Sequence, residues 1–120
     1  WDCLARFGER IAGFRPSQVR AVATQTLREA RNRDVFLAQA EHVLGYPIEV
    51  ISGREEARLI YAGVARLQPS EQPRLVIDIG GRSTEMILGT GRVPTATESF
   101  HVGCVSLSMK FFEGGHITDA

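Results

Sequence analysis

LVIDIGGRSTEMILG, residues 75–89, is the stretch that decides the fold. An apolar run ends in Asp78, a polar turn with two glycines follows, and Glu85 opens a second apolar run. Alternating apolar segments that flank a glycine-containing turn are typical of a β-hairpin. We therefore predict antiparallel strands at residues 74–79 and 84–89, joined by the polar turn.

The turn has the composition of an anion-binding loop. Gly80 and Gly81 carry no Cβ, so backbone N–H groups can approach an anion closely there. Ser83 and Thr84 add hydroxyl groups. The next element is a strand and no lysine follows the glycines, which excludes a Walker loop and a dinucleotide-binding loop. A hairpin whose glycine-rich turn binds nothing fits the same residues.

Two acidic residues flank this turn. Asp78 stands at the carboxyl end of the first strand, and Glu85 stands on the far side of the turn. Carboxylates in such positions can hold a divalent cation, or water bound to that cation, beside a phosphate. The hairpin therefore predicts a site for a phosphate and a metal ion.

Outward from the hairpin, the pattern changes near residue 68. Upstream, helices and strands alternate, and downstream the chain follows an antiparallel meander whose third strand is predicted at 95–106. The upstream elements are a helix at 2–14, a strand at 19–24, a short helix begun by a capping box of Thr26 and Glu29, a helix closed by Gly45 and Pro47, a strand at 48–52 and a helix at 53–67. We predict an α/β protein with one part at 1–68 and another at 69–120.

The composition of the chain gives no sign that it binds nucleic acid or spans a membrane. The chain has 14 basic and 14 acidic residues, so its net charge gives no general attraction to nucleic acid or to a membrane. No apolar stretch is long enough to predict a membrane span. Cys3 and Cys104 are far apart and are expected to be reduced thiols of a cytoplasmic protein, with Cys104 in the core. The chain starts at Trp1 within a predicted helix, which suggests a piece of a longer protein.

Glu56 is the most unusual acid in the predicted helix at 53–67. Residues 56, 60, 64 and 67 share one helical face, and the last three of them are apolar. Glu56 would then head a buried stripe, where a carboxylate is costly unless it has a partner or a catalytic task such as that of a general base. An acid at a helix N-terminus that extends into water explains the residue equally well.

Arg28 is the basic residue that we favour as functional. It follows a predicted strand and is expected in the first turn of a helix, where a cation opposes the helix dipole by about 0.3–1 kcal/mol. A bound anion would relieve that conflict. For the nearby Arg31 and Arg33 a solvated helix face is the preferred interpretation.

These segments together resemble the exopolyphosphatase / guanosine pentaphosphate phosphohydrolase family. The resemblance rests on VATQTLREARN, GYPIEVISGREEARLIYAGV, LVIDIGGRSTEMILG, HVGCVSL and FFEGG, in that order along the chain. It implies a ribonuclease-H-like fold of the actin-like ATPase superfamily, in which two lobes enclose the active cleft. Residues 1–68 would then be the end of the first lobe with its linking helix, and 69–120 the β-meander that begins the second lobe.

The resemblance also implies roles for the acids. Glu56 would be the general base for the attacking water. Asp78 and Glu85 would organise Mg²⁺ and that water. The substrate would be inorganic polyphosphate, which loses its terminal phosphate, or guanosine pentaphosphate. A homodimer of the full-length protein is compatible with the family.

The implied phosphate ligands come from two places in the sequence. Arg28 would contact the phosphate chain in the cleft. The remaining ligands would form the phosphate loop of the second lobe: Gly80, Gly81, Arg82, Ser83 and Thr84. Arg82 replaces a third glycine that is usual in the family; where the backbone needs a positive φ, an arginine costs about 1 kcal/mol. Its charge would lie beside the phosphate.

A second departure is that the family's first phosphate loop has no counterpart in these residues and would precede Trp1. We therefore expect the 120-residue chain alone to have little or no phosphatase activity. Two rival functions stay open from the sequence. One is a kinase or ATPase of the same superfamily, against which the EEARLI helix argues; the other is a non-catalytic sensor of polyphosphate or guanosine tetraphosphate.

Overall fold

The computed structural model describes residues 1–116, and these form two compact units divided between Ile51 and Ser52. The first unit contains a two-stranded sheet and the second a three-stranded sheet. Along residues 1–116, no helix is long and apolar enough to cross a membrane.

The first unit packs two helices beside a short parallel strand pair. Its elements are α1 (Asp2–Ile11), a 3-10 turn (Pro16–Gln18), β1 (Ala21–Ala23), α2 (Gln25–Glu29), α3 (Arg33–Leu44) and β2 (Ile48–Val50). β1 and β2 are parallel, with Ala21 opposite Ile48 and Ala23 opposite Val50. A parallel pair requires a crossover connection, and α2 and α3 provide it.

Helix α1 lies close against the end of α3. A Cβ added at Gly8 would lie 2.8 Å from the carbonyl oxygen of Leu44, so only glycine permits this approach. The hydroxyl oxygen of Tyr46 lies 2.7 Å from the carbonyl oxygen of Ile11, which fixes the end of α1. As predicted, α3 ends at Gly45, whose φ of 80° places it in the left-handed region.

The second unit is a helix on a β-meander. Its elements are α4 (Gly53–Leu67), β3 (Pro73–Ile79), β4 (Thr84–Thr90), β5 (Val93–Phe100), α5 (Cys104–Phe111) and a 3-10 turn (Glu113–Gly115). The three strands are antiparallel in the order β3-β4-β5. The predicted hairpin and the predicted helix at 53–67 are thus confirmed.

The core of the second unit lies between α4 and one face of the sheet. Ala57, Tyr61 and Ala65 recur at four-residue spacing along α4 and are buried against Ile87 of β4. A Cβ at Gly89 would lie 2.5 Å from the ring of Tyr61, so the tyrosine ring rests on bare backbone. Because α4 packs in this way, the compact units divide before α4 and not after residue 68. How residues 1–68 and 69–120 belong to the lobes of a longer protein stays a prediction.

Two details of the predicted elements are wrong. The helix predicted at 2–14 ends at Ile11. Helix α2 begins after Thr24, which makes no side-chain capping bond, and so Thr26 and Glu29 form no capping box. Glu29 instead accepts a hydrogen bond from the side chain of Gln25, at 2.6 Å.

The largest difference lies at the predicted strand 95–106. The strand ends at Phe100, and α5 begins at Cys104. Valines at 102 and 105 suggest a strand, but the N–H groups of the first turn of α5 find acceptors in the distant turn after β3. Cys104 is exposed and is not the core residue that we expected.

Candidate active site

Asp78 and Glu85 face each other across the β3–β4 hairpin. The two residues are direct partners in the antiparallel register, so their side chains project from the same face of the sheet. Opposed residues of this kind have Cβ atoms about 4.5–5.5 Å apart. Asp78 is half-buried and Glu85 is 1% exposed. The structure thus brings the two predicted acids together, on the face that also carries the core residue Ile87.

Glu85 has a hydrogen-bond donor on the next strand. The hydroxyl of Ser99 in β5 donates to Oε1 of Glu85 at 2.8 Å. Ser99 is also the register partner of Glu85. The sequence gives no signal for this residue, because its importance depends on the pairing of β4 with β5.

The carboxylate pair fits a magnesium ion that arrives with a phosphate. Within residues 1–116, no three His, Cys, Asp or Glu side chains come together as a metal site. Mg²⁺ is commonly held by one or two carboxylates together with substrate phosphates and water, so two acids suffice. Side-by-side carboxylates, one of them almost fully buried, are also costly without a compensating cation.

The turn between β3 and β4 is held by its own backbone. The N–H of Gly80 donates to the carbonyl oxygen of Ser83 at 2.9 Å. A Cβ at Gly80 would lie 3.0 Å from that same oxygen, so the tight turn favours glycine. The N–H of Gly80 is therefore engaged within the turn and is not a ligand for an anion in this conformation.

The carbonyl groups of the two glycines point towards α5. The oxygen of Gly80 accepts the N–H of Cys104 at 2.9 Å, and the oxygen of Gly81 accepts the N–H of Val105 at 2.9 Å. The peptide bonds of the described chain are trans, with no cis bond among them. In a trans peptide, the N–H of the following residue points opposite to the carbonyl. The N–H groups of Gly81 and Arg82 are therefore directed away from α5.

Two consecutive N–H groups on one side of a turn make an anion-binding corner. Within residues 1–116, neither the N–H of Gly81 nor that of Arg82 has a backbone carbonyl as its acceptor. The corner follows directly after Asp78 in β3 and Ile79. The N–H groups of Gly81 and Arg82 could thus donate to an anion beside the carboxylate pair, and the phosphate loop itself stays a prediction.

The hydroxyl groups of Ser83 and Thr84 are not both exposed and available to an anion. Ser83 is buried. The hydroxyl of Thr84 donates to the carbonyl oxygen of Val102 at 2.7 Å, so its proton is engaged with the segment before α5. Roles for Ser83 and Thr84 as phosphate ligands stay predictions.

Arg82 is accommodated without backbone strain. No residue other than glycine has a positive φ in the described part of the chain, and the positive-φ glycines do not include Gly80 or Gly81. The expected cost of about 1 kcal/mol for an arginine at this position is therefore absent. The side chain of Arg82 is exposed at the corner.

Glu56 lies in the first turn of α4 and is half-buried. The predicted stripe is confirmed only in part, because Ile60 packs against the core and Val64 is half-buried, whereas Leu67 is 83% exposed. The fully buried residues of the helix are Ala57, Tyr61 and Ala65. Glu56 thus borders the buried stripe.

The neighbouring acid, Glu55, has a different environment. Its carboxylate forms two hydrogen bonds with the guanidinium of Arg58, at 2.7 and 2.8 Å. This bonding and the charge of Glu55 raise the pKa of Arg58. The N–H of Glu55 donates to the side-chain oxygen of Ser52, which caps the start of α4. Glu55 therefore serves the helix itself.

Helix α4 packs along two strands of the sheet. Tyr61 rests on Gly89 of β4, and Ala57, one turn earlier, shares a cluster with Ile87. The first turn of α4 also lies beside β5, because Ser52 and Glu55 line one pocket with Pro94 and Thr97. A position of Glu56 opposite the carboxylate pair stays a prediction.

Arg28 belongs to the first unit. It lies in the last turn of α2, where the dipole favours a cation, so the predicted conflict in a first turn is wrong. The guanidinium donates to the side-chain oxygen of Gln25 at 2.8 and 3.0 Å and to the carbonyl oxygen of Ile51 at 2.8 Å. Gln25 is 4% exposed, so a buried amide fixes the plane of the arginine.

Comparisons with known proteins identify the family. A model of the Ppx/GppA phosphatase family matches residues 1–120. A Haemophilus influenzae protein that carries the provisional name exopolyphosphatase is 53% identical over 117 residues, which are 98% of this chain and 36% of that protein.

Solved structures give the same result. The chain is 34% identical to the Aquifex aeolicus PPX-GPPA enzyme, with a TM-score of 0.76 over 92% of this chain and 37% of that one. It is 27% identical to an exopolyphosphatase from Cytophaga hutchinsonii, with a TM-score of 0.76 over 98% of this chain and 37% of that one. The predicted α/β fold class is confirmed as part of the fold of these Ppx/GppA and exopolyphosphatase structures. The chain spans just over a third of the length of these relatives.

Proposed function

We propose, from the premise that this chain belongs to the Ppx/GppA phosphatase family, that the full-length protein is an exopolyphosphatase. It would release the terminal phosphate of inorganic polyphosphate by attack of water. The observation that carries the proposal is the turn after β3, where the N–H groups of Gly81 and Arg82 point away from α5, next to Asp78 and Glu85. The cytoplasm is the proposed compartment.

The corner would bind the phosphoryl group that is transferred. Backbone N–H donors aimed at phosphoryl oxygens stabilise the charge that develops in phosphoryl transfer, which is the main catalytic task of such a site. Asp78 and Glu85 would hold Mg²⁺, which when bound would neutralise phosphate charge and orient water. Ser99 keeps Glu85 in place through its hydrogen bond.

Glu56 would accept the proton of the attacking water. Its half-buried position in the first turn of α4, at the border of the buried face of that helix, supports this role. Arg28, held by Gln25 and Ile51, would contact a further phosphate of the chain. A linear polyanion is a suitable ligand for such an arginine, because a guanidinium binds phosphate oxygens in a bidentate manner.

Guanosine pentaphosphate is the second candidate substrate, because its 5′ phosphate would fit the same corner. A sensor without catalysis would bind phosphate at the same turn, because Arg82 leaves its backbone unstrained. Phosphate release by the full-length protein from polyphosphate and from guanosine pentaphosphate, measured side by side, decides among these. We expect the higher kcat/KM with polyphosphate; tight binding of polyphosphate without release would overturn the proposal in favour of a sensor.

The general base is tested by a matched pair of variants. In the full-length protein, Glu56→Gln should lower kcat by about 10²–10⁴-fold, the usual contribution of a general base, while polyphosphate binding persists. Glu55→Gln is the control, since Glu55 contacts Arg58, and it should keep kcat within about twofold. Equal losses in the two variants would remove Glu56 from the mechanism.

A further inference from the structure

The first turn of α5 binds the turn after β3 through main-chain atoms. The N–H groups of Cys104, Val105 and Ser106 donate to the carbonyl oxygens of the two glycines, at 2.9, 2.9 and 3.1 Å. These bonds satisfy N–H groups that the start of a helix otherwise leaves without acceptors. They also set which way the peptide planes after Gly80 and Gly81 face.

Gly103 makes this contact possible. Its φ of −154° and ψ of 172° are extended values that any residue adopts, so backbone conformation does not explain the glycine. The lack of space around residue 103 explains the glycine. A Cβ there would lie 2.5 Å from the oxygen of Gly80, 2.5 Å from the carbonyl carbon of Gly81 and 2.6 Å from the nitrogen of Arg82. All three are main-chain atoms of the turn, so any side chain at 103 must displace it.

Ser106 locks Gly103 in this position. Its hydroxyl oxygen accepts the N–H of Gly103 at 3.0 Å, and its hydroxyl donates to the carbonyl oxygen of the same residue at 3.0 Å. Gly103 is buried, so loss of that hydroxyl would leave a buried N–H without its acceptor. Ser108, two residues on, is exposed and provides a comparison within the same helix.

We propose that Gly103 and Ser106 are positioning residues that hold the carbonyl groups of Gly80 and Gly81 against α5 and thereby aim the N–H groups of Gly81 and Arg82 at the substrate phosphate. This rests on the proposed function, since it assumes that the corner binds phosphate. Neither residue touches the substrate. Their effect passes through the two peptide planes of the turn.

The test follows the amide of Gly81 directly. Full-length protein labelled with ¹⁵N-glycine is titrated with inorganic phosphate, and the Gly81 amide resonance is recorded for wild type, Ser106→Ala, Ser106→Thr and Ser108→Ala. We expect saturable movement of that resonance in wild type, with an apparent Kd about five- to tenfold weaker in Ser106→Ala, as loss of one hydrogen bond predicts. Ser106→Thr should restore the affinity, and Ser108→Ala should match wild type.

Gly103→Ala extends the test. If it folds, the Gly81 resonance should no longer respond to phosphate. If it does not fold, the serine series decides. An unmoved wild-type resonance would reject the phosphate corner itself, and with it the proposed function. A wild-type response that Ser106→Ala retains at the same affinity would reject only the positioning role.

Discussion

At the scale of residues, the site depends on pairs that the fold assembles. Asp78 and Glu85 are adjacent only because β3 and β4 are in register, and Glu85 meets Ser99 only because β5 pairs with β4. The acids could be predicted from the sequence, since both flank a glycine-containing turn. Ser99 could not, because nothing local marks a serine fourteen positions from its partner.

The bond between Ser99 and Glu85 leads to a prediction about metal affinity. In the full-length protein, Ser99→Ala should raise the Mg²⁺ concentration for half-maximal phosphate release by about 10–100-fold, as is typical when a partner of a metal ligand is lost. The physical reason is that Glu85 is buried and would lose the donor that orients it. Titration of activity with Mg²⁺ measures the effect.

Ser99→Thr is the matched control because it keeps the hydroxyl, and it should remain close to wild type. If Ser99→Ala shows an unchanged Mg²⁺ requirement while Glu85→Gln abolishes Mg²⁺-dependent phosphate release, then Ser99 has no part in holding the metal ligand.

At the scale of elements, amphipathic periodicity predicted α4 and the hairpin well but assigned the buried face of α4 only in part. Counting from Glu56 selected residues 60, 64 and 67, whereas the helix buries Ala57, Tyr61 and Ala65. Small alanines carry a weak apolar signal, and their burial follows from the close approach of the helix to Gly89 and Ile87. Tertiary packing decided the face.

α5 could not be predicted from local propensity. Its first turn is stabilised by carbonyl oxygens of Gly80 and Gly81, more than twenty residues earlier in the chain. A sequence window around residues 101–107 contains valines that favour a strand and no sign of these distant acceptors. The sequence shows that residue 103 is a glycine, but the need for glycine there comes from the close contact with the turn after β3.

The packing of α4 on β4 predicts opposite effects for two glycine substitutions. Gly89→Ala should lower the free energy of unfolding of the full-length protein by about 1–3 kcal/mol, because the new methyl group would overlap the buried ring of Tyr61. Gly63→Ala should raise it by up to about 1 kcal/mol, because that position in α4 is exposed and open and alanine favours the helix.

Denaturant unfolding of the three proteins measures both effects. A Gly89→Ala variant as stable as wild type would mean that Tyr61 does not rest on β4 as described.

At the scale of the whole molecule, the two faces of the sheet in the second unit differ in exposure. One face of the β3–β5 sheet is covered by α4, while apolar side chains on the other face are exposed. They are Leu75, Ile77, Ile79, Leu88 and Phe100. Exposed apolar areas of this kind are uncommon on a monomer and promote association.

We therefore predict that the 120-residue chain, prepared alone, self-associates and releases little or no phosphate from polyphosphate. Light scattering and a phosphate assay measure the two properties. Replacing Ile77 with lysine in the isolated chain should reduce association, because it places a charge in the middle of the exposed face. A monomeric wild-type chain with steady phosphate release would contradict both expectations.

The central claim is that the N–H groups of Gly81 and Arg82 bind the terminal phosphate beside Asp78 and Glu85. A crystal structure of the full-length protein with Mg²⁺ and inorganic phosphate tests it most directly. We predict phosphate oxygens within about 2.7–3.2 Å of both nitrogens, with the metal on the two carboxylates. A phosphate bound elsewhere, with both N–H groups facing protein or solvent, would contradict the claim.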